Sequence, residues 1–237
     1  MPLNNRHILN SFNEALEALR NDVIMMSSLA ERNFSQAVKS LLRRDSELAE
    51  ASIRDDEEVD TLEKKIDSVG VSIILRFTPL ASDLRRVIAT MKLAGNLERI
   101  SDESVSIARR AKLLNLRPEL AESQLVEGVY QSVLSLYKDS LRAFMAGDLQ
   151  LAYSIKPRDK QIDAEYKDLV RQLTEKMAEK TAAIPDLFNL TSVLRSLERV
   201  GDHATNIAED AVYAESAEDI RHIGLAAQQA KAGHLSS

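Results

Sequence analysis

Cysteine is absent from the 237 residues, and so is tryptophan. Without thiols the chain has no disulfide scaffold, no thiolate metal ligand and no cysteine nucleophile, and it suits a reducing compartment. Aromatic residues make up only 4%, glycine occurs 7 times and proline 5 times. That scarcity, beside abundant Leu, Ala, Glu, Lys and Arg, argues for long helices rather than for sheets with many turns. No Gly-rich loop, GxxxxGK[ST] or GxSxG is present, so catalytic residues and a nucleotide-type cofactor site are not expected. Long apolar runs are missing too: Val71 to Leu75 stops at Arg76, far short of the ~20 residues that a bilayer span needs. The opening "MPLNNRHILN" lacks an apolar h-region, so a secretory signal is not expected and the chain reads as soluble and cytoplasmic.

Excess positive charge is also lacking. The net charge is −6; residues 1–117 carry 18 basic and 18 acidic side chains, and residues 118–237 carry 13 and 19. Such a balance disfavours nonspecific nucleic-acid binding, which needs a positive field. It equally disfavours direct capture of free phosphate unless a metal intervenes.

What is present is helical periodicity, laid out twice. Phe12, Leu16, Leu19, Val23 and Met26 start a first helix that continues to Leu41. Asp45 reads as the N-cap of a short segment, "SELAEASI", before a long helix striped by Val59, Leu62, Ile66, Val69 and Ile73. Pro79 breaks the pattern, Ser82 or Asp83 is placed to cap, and Leu84 to Leu114 form the next helix. After Pro118 the plan restarts: Leu125 to Leu136, a break at Gly147-Asp148, a stripe from Ile162 to Met177, a break at Pro185, and a last stripe from Leu187 to Ile207. Every proline after Pro2 is expected at a break. The halves align at an offset of 103 residues and, in the last helix of each, of 100, with the proline turn expected to be shorter in the second. The expected fold is all-α: two tandem, similar three-helix bundles over 1–117 and 118–213, with a tail at 214–237 that forms a short helix or is disordered.

Four acidic i,i+4 pairs occupy corresponding places: Asp56/Asp60 with Asp159/Asp163, and Glu98/Asp102 with Glu198/Asp202. At ~100° per residue the latter pairs face away from their helices' main apolar stripes, and Asn206 extends the second ridge. A solvated polar face is the plain alternative. Against it, like charges one turn apart repel rather than support a helix. Paired carboxylates on neighbouring helices suit a hard or borderline cation: iron, zinc, manganese or magnesium. His203, beside Asp202, reads as a surface residue before it reads as a ligand, and His7, His222 and His234 have no informative spacing.

These residues resemble the PhoU family, helical regulators of bacterial phosphate uptake. "ERVGDHATNIAED" at 198–210 is similar to the family's Glu-Arg-Ile-Gly-Asp-His-Ala-x-Asn-Ile-Ala signature, with Val200 replacing isoleucine. "PLASDLR" at 79–85 and "DDEEVDTLE" at 55–63 resemble two further family segments. The resemblance implies tandem three-helix bundles whose acidic motifs bind metal ions, in some members as iron or zinc clusters. Carried over, the metal candidates are Asp56, Asp60, Glu98, Asp102, Asp159, Asp163, Glu198 and Asp202, with Asn206 and Glu209 second. It also implies a homodimeric adaptor between the ATPase subunit of a phosphate ABC transporter and a sensor histidine kinase. That adaptor would touch the membrane only through its partners and restrain the starvation response when phosphate is plentiful. A metal-dependent helical enzyme, a metal-storage protein, or a metal-free scaffold are the competing expectations. The first repeat departs from the signature at Ser101, Glu103 and Ser106, so metal is expected first in the second.

Overall fold

The computed structural model describes residues 3–221 and residue 223, with side chains from residue 10 onward. Among these residues there are six α-helices and no strand: α1 (Leu3–Leu42), α2 (Ser46–Phe77), α3 (Ser82–Asn115), α4 (Leu125–Ala146), α5 (Leu149–Glu179) and α6 (Ile184–Ser216). The helices α1, α2 and α3 pack as one bundle and α4, α5 and α6 as a second. The expected architecture of two tandem three-helix bundles is therefore what the chain adopts.

The same local chemistry turns the chain at the first corner of each bundle. Arg44 (φ 54°) and Gly147 (φ 65°) sit at equivalent positions in the left-handed region, where glycine is at ease and arginine is not. Behind them the amides of Asp45 and Asp148 return to the carbonyls of Ser40 and Ala143, both at 2.9 Å, closing each helix in the Schellman manner. Each aspartate then caps the next helix: Asp45 accepts from the amides of Glu47 and Leu48, and Asp148 from that of Leu151. Arg44 offsets its backbone conformation by donating to the carbonyls of Asn115 and Arg117, at 3.0 and 2.5 Å.

Several expectations need correction. "SELAEASI" is not a separate segment: α2 is continuous, because Ala49, Ser52 and Val59 are all buried and carry the packed stripe through the charged run between them. Pro157 is not at a break but inside α5. The helix tolerates the lost donor, a defect of ~3 kcal/mol in an unsupported helix, because the apolar Ile155 and Ile162 are buried on either side. Neither Ser82 nor Asp83 caps α3; Ala81, at φ 48°, holds that position with no side-chain hydrogen bond. The α2–α3 and α5–α6 connections, 78–81 and 180–183, are equally long, so the three-residue difference is taken from helix ends. Three residues are close to one helical turn, which leaves the buried faces in rotational register. Pro185 starts α6, where a missing amide proton is harmless. From the expected tail, α6 continues to Ser216, and Ile220 is buried; residues 222 and 224–237 lie outside the described residues.

The bundles lie side by side, joined chiefly through α3 and α6. Arg86 pairs with Glu215, Lys92 with Asp210, Asn96 meets His203, Arg199 pairs with Glu103, Arg110 donates to Asn189, and Arg117 pairs with Asp186. Rising numbers on α3 meet falling numbers on α6, so the helices run antiparallel. The signature stretches 96–111 and 196–211 pack across each other about a local pseudo-twofold axis, which Asn96–His203 and Glu103–Arg199 flank. Ala108, Ala111, Ala208 and Ala211 are buried in this layer, and small side chains let helices approach closely. A second seam joins α1 to α4, where the buried Tyr137 hydroxyl donates to the Ser27 carbonyl at 2.9 Å and the Phe34 and Tyr130 rings meet edge to face.

Candidate metal centre

Periodicity assigns Glu98/Asp102 and Glu198/Asp202 to the polar sides of α3 and α6, and packing decides which of the acidic pairs converge. In the second bundle Asp159 and Asp163 of α5 face Asp202 of α6. One carboxylate oxygen from each lies within 4.8 Å of the other two. No other such trio of His, Asp or Glu side chains occurs among the described residues. Asp159 is only 4% exposed, an unusual position for a carboxylate without a partner cation. Burial first, then the Asp163 and Asp202 carboxylates, push its pKa up to about 6. Asp202 is raised by burial and by Asp163. Glu198 is raised by burial and then by Asp202 and Asp163, but it stands outside the trio.

The signature glycine has a steric role here. A Cβ on Gly201 would lie 3.2 Å from Asp159 Oδ1 and 4.0 Å from Leu136 Cδ2. Glycine at this position gives Asp159 the room to turn toward the other two carboxylates. Lys160 supplies an internal counter-charge, with its Nζ 2.7 Å from Asp163 Oδ2.

The first bundle builds the equivalent corner differently. Ser101 replaces the glycine and Asn33 stands where the second repeat has Leu136; the Asn33 amide donates to Ser101 Oγ at 3.1 Å. Asp56, the counterpart of Asp159, is raised by burial, an effect partly offset by the Ser101 hydroxyl and reinforced by Asp60 and Asp102. Its Oδ1 is buried with no hydrogen-bond partner. Glu98 is pushed up to about 7 by burial and then by Asp102, while Arg99 pulls it down. Arg99 sits 3.3 Å from Glu98 and 3.7 Å from Asp102. Glu63, one turn beyond Asp60, extends this cluster and is itself raised by burial, Asp67 and Asp60. Glu63 lies outside the repeated pairs, with Tyr166 in its place in the second repeat, so spacing alone does not single it out.

The second-rank candidates are engaged elsewhere. Glu209 is buried and paired with Lys156 at 3.0 Å, and Asn206 reaches across to Asn96 Oδ1 at 3.5 Å. His203 is half-buried rather than on the surface, with Nδ1 3.1 Å from Asn96 Oδ1. Burial, with help from Arg199 and Arg99, pushes its pKa down to about 4, so it is neutral at physiological pH. The side chains of His7, His222 and His234 lie outside the described residues.

The residues fit a hard cation: three converging carboxylates, one of them buried, form an all-oxygen donor set. Fold and site define a class, duplicated three-helix bundles with an acidic cluster in a matching corner of each repeat. A profile of the PhoU domain matches residues 23–111 and again 126–211, and the chain belongs to the PhoU family. It is 40% identical over 220 residues to the phosphate-specific transport system accessory protein PhoU homolog of Pseudomonas aeruginosa, covering 92% of this chain and 91% of that one. It is 36% identical over 222 residues to the accessory protein PhoU of Escherichia coli K12, covering 93% and 91%. The crystal structure of PhoU from Pseudomonas aeruginosa superposes with a TM-score of 0.85 at 38% identity, over 87% of this chain and all of that one. The phosphate transport system regulatory protein PhoU from Streptococcus pneumoniae gives 0.80 at 30%, over 88% of this chain and 98% of that one. The family is one of accessory regulatory proteins, not of enzymes. No helix among the described residues is long and apolar enough to cross a membrane.

Proposed function

We propose that the chain is a cytoplasmic regulator of phosphate uptake and phosphate-starvation signalling. It acts as a metal-binding, homodimeric adaptor between the ATPase subunit of a phosphate ABC transporter and a sensor histidine kinase, and restrains the starvation response when phosphate is plentiful. One observation carries this reading: relatives named as accessory proteins of phosphate-specific transport align over nine tenths of both chains. Repeats 1–117 and 118–213 serve as the two binding units, with 214–237 outside them. Exposed Leu75, Leu80, Leu113, Leu116 and Phe188 offer apolar contact to partners.

In this reading Asp159, Asp163 and Asp202 hold a divalent cation, with Glu198 beside them. Asp56, Asp60, Glu98 and Asp102 form a weaker counterpart in which the Ser101 hydroxyl takes up part of the space. The cation supplies positive charge that neutralises the cluster and fixes α5 against α6. Iron or zinc, the ions the family resemblance implies, are the first candidates, and an all-carboxylate trio suits manganese or magnesium as well.

A starvation-promoter reporter tests the regulatory role. Deleting the gene should leave the reporter active in phosphate-rich medium, and restoring the chain should silence it. A reporter that stays silent in the deletion strain refutes the role.

A further inference from the structure

Charge reverses between the repeats at two adjacent equivalent positions. The crossing stretch of α3 ends in Ala108-Arg109-Arg110-Ala111, that of α6 in Ala208-Glu209-Asp210-Ala211. Because the helices run antiparallel, Arg110 reaches Asn189 on one side of the pseudo-twofold axis and Asp210 reaches Lys92 on the other, with a groove on each side. The groove holding Glu209 and Asp210 also contains Glu63 and Glu98, balanced by Lys92, Arg99 and Arg221. Its counterpart is lined by Arg109 and Arg110 from α3 and by Arg195 and Arg199 from α6, with the serines 106, 192 and 196 between them.

This second groove encloses about 550 Å³ and contains one carboxylate, Glu103. Glu103 is paired with Arg199 at 2.8 Å, and Arg110 donates to the neutral Asn189 side chain at 2.9 Å. Arg109 and Arg195 have no carboxylate within the 4.0 Å of an ion pair among the described residues, although Arg109 acts at longer range on Asp56 and Arg195 on Glu198. Four guanidinium groups against one carboxylate repel one another unless an anion joins them. Guanidinium forks bind phosphoryl oxygens two at a time, and serine hydroxyls add donors that rotate to suit. The volume is that of a small-molecule site, larger than one phosphate requires. The net charge of −6 conceals this groove because its arginines are distant in sequence and meet only through the helix crossing.

We propose that the α3–α6 groove binds a small polyphosphorylated anion, a chain of two or three phosphoryl groups, free or carried by a nucleotide. The proposal rests on the groove's charges and stands whether or not the regulatory role above is correct. Titration calorimetry on the full chain tests it, after chelation and dialysis so that no cation at the acidic clusters can bridge. Inorganic tripolyphosphate, ATP without magnesium, and sulfate are the probes, at about 0.15 M salt. Tripolyphosphate should bind one site per chain at least tenfold more tightly than sulfate, by roughly the strength of added charge-assisted bonds. Arg195→Gln and Arg109→Gln should each weaken it by about tenfold. Arg171→Gln, which removes the same charge from the exposed face of α5, should leave the affinity within about twofold. ATP binding more tightly than tripolyphosphate identifies the nucleotide form; the reverse identifies the free chain. No binding below millimolar concentration overturns the proposal, as does binding that the groove substitutions leave intact or that Arg171→Gln weakens equally. Neither Arg109 nor Arg195 makes a hydrogen bond among the described residues, and unchanged thermal melts of the two variants confirm that binding, not folding, is read.

Discussion

Replacing Asp159 by asparagine should make the metal-free protein more stable at neutral pH. Burial and two neighbouring carboxylates hold the Asp159 pKa at about 6, against an ordinary 3.8. At ~1.4 kcal/mol per pH unit, that gap corresponds to about 3 kcal/mol, reduced to about 2 by solvent reaching the exposed Asp202 side. A raised carboxyl pKa means that the folded state binds the proton more tightly than the unfolded state. The penalty for ionised Asp159 is therefore complete above the folded value, shrinks as pH falls through about 6, and disappears below 3.8. Urea unfolding of chelated wild type and Asp159→Asn should show the variant ahead by about 2 kcal/mol near pH 7.5, with the lead fading toward about pH 4. Adding manganese should reverse the order. A site-bound cation at a hundredfold excess over its Kd adds ~2.7 kcal/mol to the wild type, and the variant, lacking one ligand, gains less. A variant that is less stable near pH 7.5 without metal, or a lead that does not change with pH, refutes the reasoning.

Gly201→Ala should leave stability within about 1 kcal/mol, since better helix propensity offsets a Cβ placed 3.2 Å from Asp159 Oδ1; the manganese-induced rise in Tm should nevertheless shrink. Gly147→Ala should lose about 1–2 kcal/mol in urea unfolding, because φ 65° strains an L residue and the new Cβ meets Glu215 at 3.1 Å. Lys156→Met should destabilise by about 3 kcal/mol by leaving the buried Glu209 without its partner, whereas Arg171→Met, at an exposed pair, should change unfolding by less than about 0.5. Tyr137→Phe should remove about 1 kcal/mol with the α4–α1 hydrogen bond, read as an earlier urea midpoint.

Helix identity was legible because periodic apolar residues and capping aspartates act locally. Asp45 and Asp148 reveal their turns through their own side chains. The continuity of α2 through its acidic run and of α5 through Pro157 was not legible, since tertiary burial of Ser52, Ile155 and Ile162 holds those segments helical. The acidic pairs could be placed on faces, but their unequal convergence depends on a third helix. Leu136 beneath Gly201 and Asn33 beneath Ser101 come from α4 and α1, about 65 residues away in sequence. The arginine groove was hidden for the same reason: its two halves are far apart in the chain and meet only where α3 crosses α6.

The adaptor role is tested most directly by gentle cross-linking and purification of the chain from cells grown with ample or scarce phosphate. The expected result is recovery of both the transporter ATPase subunit and the sensor kinase from phosphate-rich cells, with less of the complex after starvation. Recovery of neither partner under either condition contradicts the role.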